Sequence, residues 1–361
     1  MIPVTKPFLP PQHEYQAQIK ELWKSKWITN NGELVQRLEK EIADYLQISY
    51  MNFVANGTMA LTLALKALDI TGEVITTPFS FLATSTSILW ENCIPVFVDI
   101  DAESLCINPD QIENAITEKT KAIMATHVFG IPCDVEKIEL IAKKYNLSVI
   151  YDGAHAFGVN YKGKSILEYG DISTLSFHAT KVFHTVEGGG IVCNGSNQLR
   201  EKISLLRNYG FKDQEYLFAG VNAKNSEFHA AMGLCNLKYV KENIMKRKNI
   251  FELYTNELSE QVRTIRIPKD IKYNYAYFPV IFQDEETLIK VERKLSENNI
   301  HSRRYFYPSL NKLPYIPLKK DCPISEDISS RILCLPLYSD LDMGTAVFIC
   351  GVLNRCINVS I

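Results

Sequence analysis

Short apolar runs alternate with helical segments from about residue 50 to residue 160, and this alternation restricts the fold more than any other feature of the sequence. Runs of strand-forming residues lie at 50–54, Glu73–Thr77, Ile94–Ile100, Thr120–His127 and Leu147–Tyr151. The segment Asp134–Tyr145 predicts a helix, because its apolar residues recur every three or four positions and Asn146 follows as a terminator. The alternation predicts an α/β fold with a mostly parallel sheet that is covered by helices on both faces.

The second half of the chain continues this pattern and then changes. Two further strands and two helical segments, the second in one or two pieces, are predicted at Asp171–Phe177, Gly190–Asn194, Leu199–Asn208 and Glu227–Asn256. Beyond about residue 257 a strand-like Tyr273–Phe282 and an amphipathic Glu285–Asn298 indicate a smaller α/β unit. We therefore predict a large domain with an N-terminal segment at 1–245 and a small C-terminal domain at 246–361.

Composition narrows the class of protein. The chain of 361 residues is 46% hydrophobic, which is enough for a sizeable core, and its net charge of −2 favours neither nucleic acid nor an anionic membrane. Nine cysteines without a CxxC pair predict neither a disulfide framework nor a metal site, and so indicate a reducing cytoplasm. No run has signal-peptide character or approaches the ~18 apolar residues of a membrane span.

Two residues of opposite charge follow strands of the predicted sheet. Asp152 ends the run Ser148–Asp152, and Lys181 lies on the loop between the next two predicted strands. Ligands bind at the carboxyl ends of strands in open α/β sheets. A pyridoxal 5'-phosphate (PLP) enzyme requires this pairing, in which a lysine forms a Schiff base with the aldehyde and a carboxylate keeps the pyridine nitrogen protonated. Taken alone, Asp152 also fits a helix cap, and Lys181 also fits a solvated charge.

Two neighbouring loops provide groups for the rest of such a cofactor. Gly57 and Thr58 open a helix directly after a strand, and a helix N-terminus attracts a phosphate. Ser176 offers a further hydroxyl, and Phe81 lies where an aromatic ring would stack on the cofactor. The alternatives are an ordinary helix cap at Gly57–Thr58 and a core position for Phe81.

A run of three glycines, Gly188–Gly190, also stands close to the lysine loop. It lacks the GxGxxG spacing of a dinucleotide site and precedes a strand rather than a helix. We expect these glycines to permit a sharp turn beside Lys181.

The order of these motifs resembles that of the DegT/StrS sugar aminotransferase family, whose members have the aspartate-aminotransferase-like fold (PLP fold type I). The resemblance runs from about Pro3 to the C-terminus. Its segments are Trp27–Gly32, Asn56–Thr58, Pro78–Phe81, Asp152–Gly158, Ser176–Lys181, Gly220–Glu227, Arg303–Pro308 and Leu335–Tyr338.

The resemblance implies roles for residues around the cofactor. Lys181 and Asp152 would be catalytic, and His155 would lie near the phenolic oxygen of PLP, with its protonation state open. Asn222 would reach the PLP phosphate of the other subunit, which implies a homodimer with shared active sites. Retention of a lysine at position 181, where some relatives have histidine, favours transamination over dehydration.

The resemblance also implies a substrate. An amino group would pass from L-glutamate to a nucleotide-linked keto-6-deoxyhexose, and dTDP-4-keto-6-deoxyglucose is the expected acceptor. His178, His184 and Glu187 would contact the sugar, while Arg303 and Tyr305 would face the nucleotide diphosphate. For each of these five residues a purely structural role is the alternative.

Two other functions remain open at this point. The first is 3-amination of a 3-keto-6-deoxyhexose, against which only the sequence Phe177–His184 argues. The second is a non-catalytic sensor or regulatory protein on the same fold, against which the joint presence of Lys181 and Asp152 argues. A role in O-antigen or other surface-polysaccharide synthesis follows from the resemblance alone.

Overall fold

The structure is a computed structural model that describes residues 1–358, so residues 359–361 of the predicted C-terminal domain lie outside it. Its helices are α1 (Gln12–Ser25), α2 (Glu33–Leu46), α3 (Gly57–Ala67), α4 (Ala83–Trp90), α5 (Val135–Tyr145), α6 (Asn197–Leu206), α7 (Glu227–Leu237), α8 (Val240–Glu257), α9 (Glu285–Glu297), α10 (Pro323–Arg331) and α11 (Met343–Asn358). Its strands are β1 (Met51–Val54), β2 (Glu73–Thr76), β3 (Ile94–Phe97), β4 (Thr120–Thr126), β5 (Ser148–Asp152), β6 (Asn160–Tyr161), β7 (Lys164–Ser165), β8 (Ile172–Ser176), β9 (Gly189–Cys193), β10 (Phe211–Lys212), β11 (Glu215–Tyr216), β12 (Arg263–Thr264), β13 (Ile271–Lys272), β14 (Phe278–Ile281) and β15 (Ile332–Leu335).

The central sheet has seven strands in the part of the chain that is described, in the order β1-β9-β8-β5-β4-β2-β3. Strand β9 runs antiparallel to both of its neighbours, β1 and β8. The pairs β8–β5, β5–β4, β4–β2 and β2–β3 are parallel. The predicted mostly parallel sheet is therefore confirmed.

Side chains of the sheet alternate between two apolar cores. On β5, Val149 and Tyr151 belong to one core and Ile150 belongs to the other. On β4, Ile123 and Met124 separate in the same way. Each fully buried side chain of this kind contributes roughly 1.5–3 kcal/mol, so helices must cover both faces of the sheet.

The C-terminal part forms a separate small sheet. Strands β12, β14 and β15 pair antiparallel, and α9 and α11 pack together beside them. Helix α8 runs without interruption through the predicted boundary at 245/246, and the N-terminal Ile2 pairs with Ile300. The division of the chain into two domains stays a prediction.

Two contacts place the C-terminal segment over the carboxyl ends of the sheet strands. The amide of Leu310 donates to the carbonyl oxygen of Pro78 at 2.9 Å. The buried carboxylate of Asp99, which follows β3, accepts from the amides of Ile324 and Ser325 at the start of α10, both at 2.9 Å. The segment 303–316 is thereby held above the strand ends.

None of the helices within residues 1–358 combines the length and the apolar character that a bilayer-spanning segment needs.

Candidate active site

A cavity of about 470 Å³ lies where β4, β5 and β8 end, between the large sheet and the segment 303–306. The predicted site residues that line it are Gly57, Thr58, Phe81, Asp152, His155, Ser176, His178, Lys181, Glu187, Arg303 and Tyr305. Residues from five separate stretches of the chain thus meet in one place, as the strand-end argument requires.

Asp152 is the buried acid of the cavity, with 5% of its surface exposed. Its Oδ2 accepts from the Thr84 hydroxyl at 2.8 Å, and its Oδ1 accepts from the Ala154 amide at 3.0 Å. Burial raises the pKa of the Asp152 carboxyl, while these two bonds and the charge of Lys181 act in the opposite direction. The carboxylate is therefore held in one orientation by two donors.

A chain of hydroxyl groups supports Asp152 from behind. Ser80 Oγ lies 2.8 Å from Thr84 Oγ1 and 3.1 Å from Thr126 Oγ1. These three residues were not identified from the sequence. No local pattern marks them, because Ser80 precedes α4 and Thr126 lies on β4.

Lys181 is the partly buried base of the cavity. Its Nζ lies 3.3 Å from the Tyr277 hydroxyl oxygen, and burial, aided by the charge of Arg303, lowers the pKa of its amine. A lower pKa increases the fraction of unprotonated amine, which is the nucleophilic form. Tyr277 precedes β14 and was not identified from the sequence; burial raises the pKa of its phenol, so the hydroxyl keeps its proton.

The protonation state of His155, which the sequence left open, follows from its contacts. Its Nδ1 accepts from the Phe129 amide at 3.1 Å, and burial lowers the pKa of the ring well below its ordinary value. A neutral imidazole that accepts at Nδ1 carries its proton on Nε2. The rings of Phe129 and Phe306 lie nearly parallel to it, at 8° and 0°, and hold its plane. His155 is therefore a neutral donor on the cavity wall.

The N-terminus of α3 forms an anion cup. The Asn56 side chain caps the helix by accepting from the Met59 amide, and the Asn56 carbonyl accepts from Ala60. The amides of Gly57 and Thr58 precede these and have no acceptor within a helix, so they remain for a ligand. A Cβ atom on Gly57 would lie 3.0 Å from Ser176 Cβ, which explains why glycine stands here and how the Ser176 hydroxyl joins the cup.

The residues predicted to meet the sugar separate into two groups. His178 Nε2 lies 3.4 Å from Glu187 Oε1, and both side chains are about half exposed on the cavity wall. His184 is 3% exposed and does not line the cavity; its Nε2 lies 2.7 Å from the carbonyl oxygen of Phe8. The geometry at His184 favours its structural alternative.

The expectation for the glycine run was wrong. Gly189 and Gly190 lie inside β9, and the chain turns earlier, at Val186 with φ 71°. A Cβ atom on Gly190 would lie 2.9 Å from the Met51 sulfur and 3.0 Å from the Phe177 ring. These glycines permit close packing of β9 rather than a sharp turn.

The mouth of the cavity carries a cation. The Arg303 guanidinium lies 4.7 Å from the ring centre of Tyr305, and burial raises the pKa of the Tyr305 phenol to about 12.

Asn222 is exposed and does not line the cavity of its own chain. Its reach toward a second subunit stays a prediction.

The residues present fit PLP in each of its polar parts. A buried carboxylate stands ready for the pyridine nitrogen, a neutral N–H donor for the phenolic oxygen, an anion cup for the phosphate and a lysine for the aldehyde. A buried acid, a neutral histidine and a lysine that line the same cavity are the groups that a PLP-dependent aminotransferase needs.

Comparison with known proteins identifies the family. The model of the DegT/DnrJ/EryC1/StrS aminotransferase family matches residues 11–354, and the chain belongs to this family. Aminotransferases of this family are PLP-dependent, so the predicted enzyme class, cofactor and fold are confirmed.

Individual relatives match almost the whole chain. The dTDP-4-amino-4,6-dideoxy-D-glucose transaminase of Shigella dysenteriae is 43% identical over 360 residues, which cover 98% of both chains. The GDP-perosamine synthase of Escherichia coli O157:H7 is 33% identical and also covers 98% of both chains. The crystal structure of DesI in the presence of its TDP-sugar product superposes with a TM-score of 0.93 at 30% identity, covering 98% of this chain and 92% of the other.

Borohydride reduction of the PLP-loaded protein will attach the pyridoxyl group to the peptide that contains Lys181, because this is the amine in the cavity. Peptide mass spectrometry provides the measurement. The Lys181→Ala variant will yield no pyridoxyl peptide, whereas Lys224→Ala, which removes a lysine outside the cavity, will label normally. A pyridoxyl group on any other peptide of the unmodified protein contradicts the assignment.

Replacing Thr84 by valine will move the acid limb of the pH–activity profile to higher pH. The Thr84 hydroxyl donates to the charged form of Asp152 and so lowers its pKa; without it the carboxylate protonates at a higher pH. A hydrogen bond to a charged group contributes about 1.5–3 kcal/mol, which corresponds to a shift of about one to two pH units.

The matched control is Thr86→Val on the same helix, since the Thr86 hydroxyl bonds only to backbone carbonyl oxygens of residues 82 and 83. Its profile will coincide with that of the parent protein. If the Thr84 variant also leaves the acid limb in place, the hydroxyl does not tune Asp152.

Proposed function

We propose that this protein transfers the amino group of L-glutamate to dTDP-4-keto-6-deoxy-D-glucose and so forms dTDP-4-amino-4,6-dideoxy-D-glucose. The observation that carries the proposal is the meeting of Lys181 and Asp152 with the anion cup in one cavity. The choice of substrate is supported by the 43% identity to the Shigella dysenteriae transaminase, which extends over 98% of both chains.

Each wall of the cavity has a separate task in this reaction. PLP, when bound, provides an electron sink for negative charge at the carbon that exchanges the amine. Asp152 would hold the pyridine nitrogen protonated, and His155 Nε2 would donate to the phenolic oxygen. Gly57, Thr58 and Ser176 would bind the phosphate, and Phe81 would cover the ring face.

The proton transfer would fall to Lys181. Its Nζ would take a proton from the carbon that bears the amine in the donor and, in the second half of the exchange, would deliver a proton to the keto carbon of the sugar. Tyr277 would fix the amine during this step, because its hydroxyl lies 3.3 Å from Nζ. Burial lowers the pKa of Lys181, which brings the amine closer to the range in which a base works at neutral pH.

The donor, the assembly and the cellular setting belong to the proposal as well. Arg303 would bind anionic groups at the mouth, either a carboxylate of glutamate or the diphosphate of the nucleotide sugar. The protein would act as a homodimer in which the partner's Asn222 reaches the phosphate. It would work in the cytoplasm, and its product would enter O-antigen or lipopolysaccharide synthesis.

Two alternatives differ in what they would yield. A 3-aminotransferase would place the nitrogen at the neighbouring sugar carbon over the same cofactor. A non-catalytic sensor would show no exchange at all, and the joint presence of Lys181 and Asp152 in one cavity argues against it.

Incubation of the PLP-loaded protein with glutamate and dTDP-4-keto-6-deoxyglucose will give a product with nitrogen at C4 of the hexose. Two-dimensional NMR of the purified product locates the nitrogen. Parallel incubations with the 3-keto isomer and with a GDP-linked 4-keto sugar serve as controls and will turn over more slowly. Nitrogen at C3, or faster turnover of either control, overturns the substrate assignment.

Shared active sites predict complementation between two defective chains. Asn222→Ala will weaken PLP binding by about tenfold or more, as expected when a hydrogen bond to a charged group is lost. When Asn222→Ala and Lys181→Ala chains are co-expressed, each mixed dimer will hold one intact site, so random pairing restores on the order of a quarter of full activity at limiting PLP. Activity no higher than in the separate variants would mean that Asn222 does not act across subunits.

A further inference from the structure

The segment Tyr273–Tyr277, here called the clamp segment, lies just before β14 and packs behind the cavity wall that carries His155 and Lys181. Its last residue, Tyr277, lines the cavity and approaches the lysine amine. Tyr273 and Asn274 are buried and do not line the cavity. Because these two side chains cannot touch a ligand there, any effect they have on the reaction must pass through the residues that they hold.

Tyr273 holds the residue that orients the His155 ring. Its hydroxyl donates to the carbonyl oxygen of Phe129 at 2.7 Å, and the amide of the same Phe129 donates to His155 Nδ1 at 3.1 Å. Phe129 has a left-handed backbone with φ 54°, a conformation that persists in a residue with a side chain only where its surroundings fix it. Burial raises the pKa of the Tyr273 phenol, so its hydroxyl remains a donor. The tyrosine thereby fixes the residue on which the tautomer of His155 depends.

Asn274 holds the main chain of the same histidine. Its Nδ2 donates to the carbonyl oxygen of His155 at 2.8 Å and to that of Phe157 at 3.0 Å. Its Oδ1 accepts from the Ala276 amide at 3.2 Å. Two acceptors on one side and a donor on the other determine the orientation of the carboxamide. His155 is therefore held at its ring through Phe129 and at its backbone through Asn274.

Gly130 shows how closely these parts approach one another. A Cβ atom at this position would lie 2.9 Å from the carbonyl oxygen of His155, 3.0 Å from Asn274 Oδ1 and 3.3 Å from an edge carbon of the Tyr273 ring. A side chain would not fit without movement of its neighbours. Because close-packed groups transmit small displacements, a shift of the clamp segment passes to the imidazole.

We propose that Tyr273 and Asn274 are positioning residues that aim the Nε2–H group of His155 at the phenolic oxygen of bound PLP. The C-terminal part of the chain thus adjusts a cofactor whose other polar groups are bound by side chains and amides between residues 57 and 181. This inference rests on the proposed function, in which His155 makes that contact.

A donor at the phenolic oxygen has a measurable effect on the colour of the protein. In the PLP-loaded protein this oxygen and the nitrogen of Lys181 share one proton, and the visible absorbance changes when the nitrogen loses it. A second donor stabilises the negative oxygen, so the nitrogen releases its proton at a lower pH. Loss or misdirection of the His155 donor therefore moves the absorbance midpoint to higher pH. The titratable groups that face the imidazole, Lys181 and the Tyr277 ring at 4.7 Å, stay in every variant.

The test is a pH titration of the visible absorbance of the PLP-loaded protein. His155→Ala will raise the midpoint by about one to two units, which is the effect of one hydrogen bond to a charged group. Tyr273→Phe removes a single oxygen atom and will raise the midpoint by about half a unit or more, since the donor is misdirected rather than removed. Asn274→Ala will act in the same direction.

Tyr275→Phe is the matched control within the clamp segment. The Tyr275 ring packs against Phe251 at 5.4 Å between ring centres, and its hydroxyl takes no part in the bonds to Phe129 or to the His155 backbone. Its midpoint will coincide with that of the parent protein. A shift in this control as large as that in Tyr273→Phe overturns the inference, because any change in the segment would then have the same effect.

A double variant separates positioning from general support of the fold. In a protein that already carries His155→Ala, Tyr273→Phe will produce no further shift, because the ring through which it acts is absent. A further shift of the same size as in the single variant overturns the inference. An unshifted midpoint in Tyr273→Phe or Asn274→Ala also overturns it, even where the melting temperature falls, since these side chains then only support the fold.

The possible results also separate this inference from the proposed function. An unshifted midpoint in His155→Ala overturns the inference even if the protein aminates the dTDP ketosugar, because the histidine then does not donate to the phenolic oxygen. The predicted shifts support the inference even if another ketosugar proves to be the substrate, because the titration contains no sugar.

Discussion

The burial of the Asp152 carboxylate at the end of β5 is the constraint on which the rest of the site depends. A buried charge costs several kcal/mol unless hydrogen bonds and an opposite charge compensate for it. The Thr84 hydroxyl and the Ala154 amide provide the bonds, and Lys181 provides the charge. Helix α4 must therefore pack directly against the end of β5, and the loop after β8 must return over it. The needs of this one carboxylate therefore explain how the end of β5, helix α4 and the loop after β8 lie relative to one another.

Close backbone packing brings the anion cup to the same place. Gly57 contacts Ser176 so closely that a side chain would not fit without movement, and Gly189 packs against the backbone of Asn56. The start of α3, the end of β8 and the antiparallel β9 are thus locked together. Because β9 returns between β1 and β8, the lysine loop that precedes it must cross the carboxyl end of the sheet. The reversed strand in a parallel sheet is what places Lys181 above Asp152.

The sequence predicted those site residues whose role depends on their position at the end of a strand. Asp152, Lys181 and the Gly57–Thr58 cup follow from the rule that ligands bind at strand ends, and all of them line the cavity. The α/β fold class also followed from the sequence, because predicted strands and helices alternate along the chain. The helical segment predicted at Glu227–Asn256, in one or two pieces, forms two helices, α7 and α8.

What the sequence did not provide depends on contacts between distant segments. Thr84 and Asp152 are far apart in the chain, as are Lys181 and Tyr277, so no local pattern connects them. Helix α4 was missed because its segment Ala83–Trp90 is rich in serine and threonine and has no clear apolar face. His184 stands near Lys181 in sequence, yet the chain turns at that point and directs the imidazole to Phe8. Proximity in sequence is a poor guide within a loop that crosses a sheet.

In the proposed reaction one cavity would receive two unlike substrates in turn, and its distribution of charge would allow this. Its buried wall is uncharged apart from the Asp152–Lys181 pair, because burial keeps His155 neutral and Tyr277 protonated. The Glu187 carboxylate stands on the half-exposed part of the wall, beside His178. The mouth of the cavity carries the guanidinium of Arg303, which lies against the Tyr305 ring. An amino acid and a nucleotide sugar differ in size but share a reactive carbon at one end and an anionic group farther out. The buried wall and the Arg303 guanidinium would orient both substrates with the reactive end inward, so a single arrangement of charge would suit both halves of the proposed exchange.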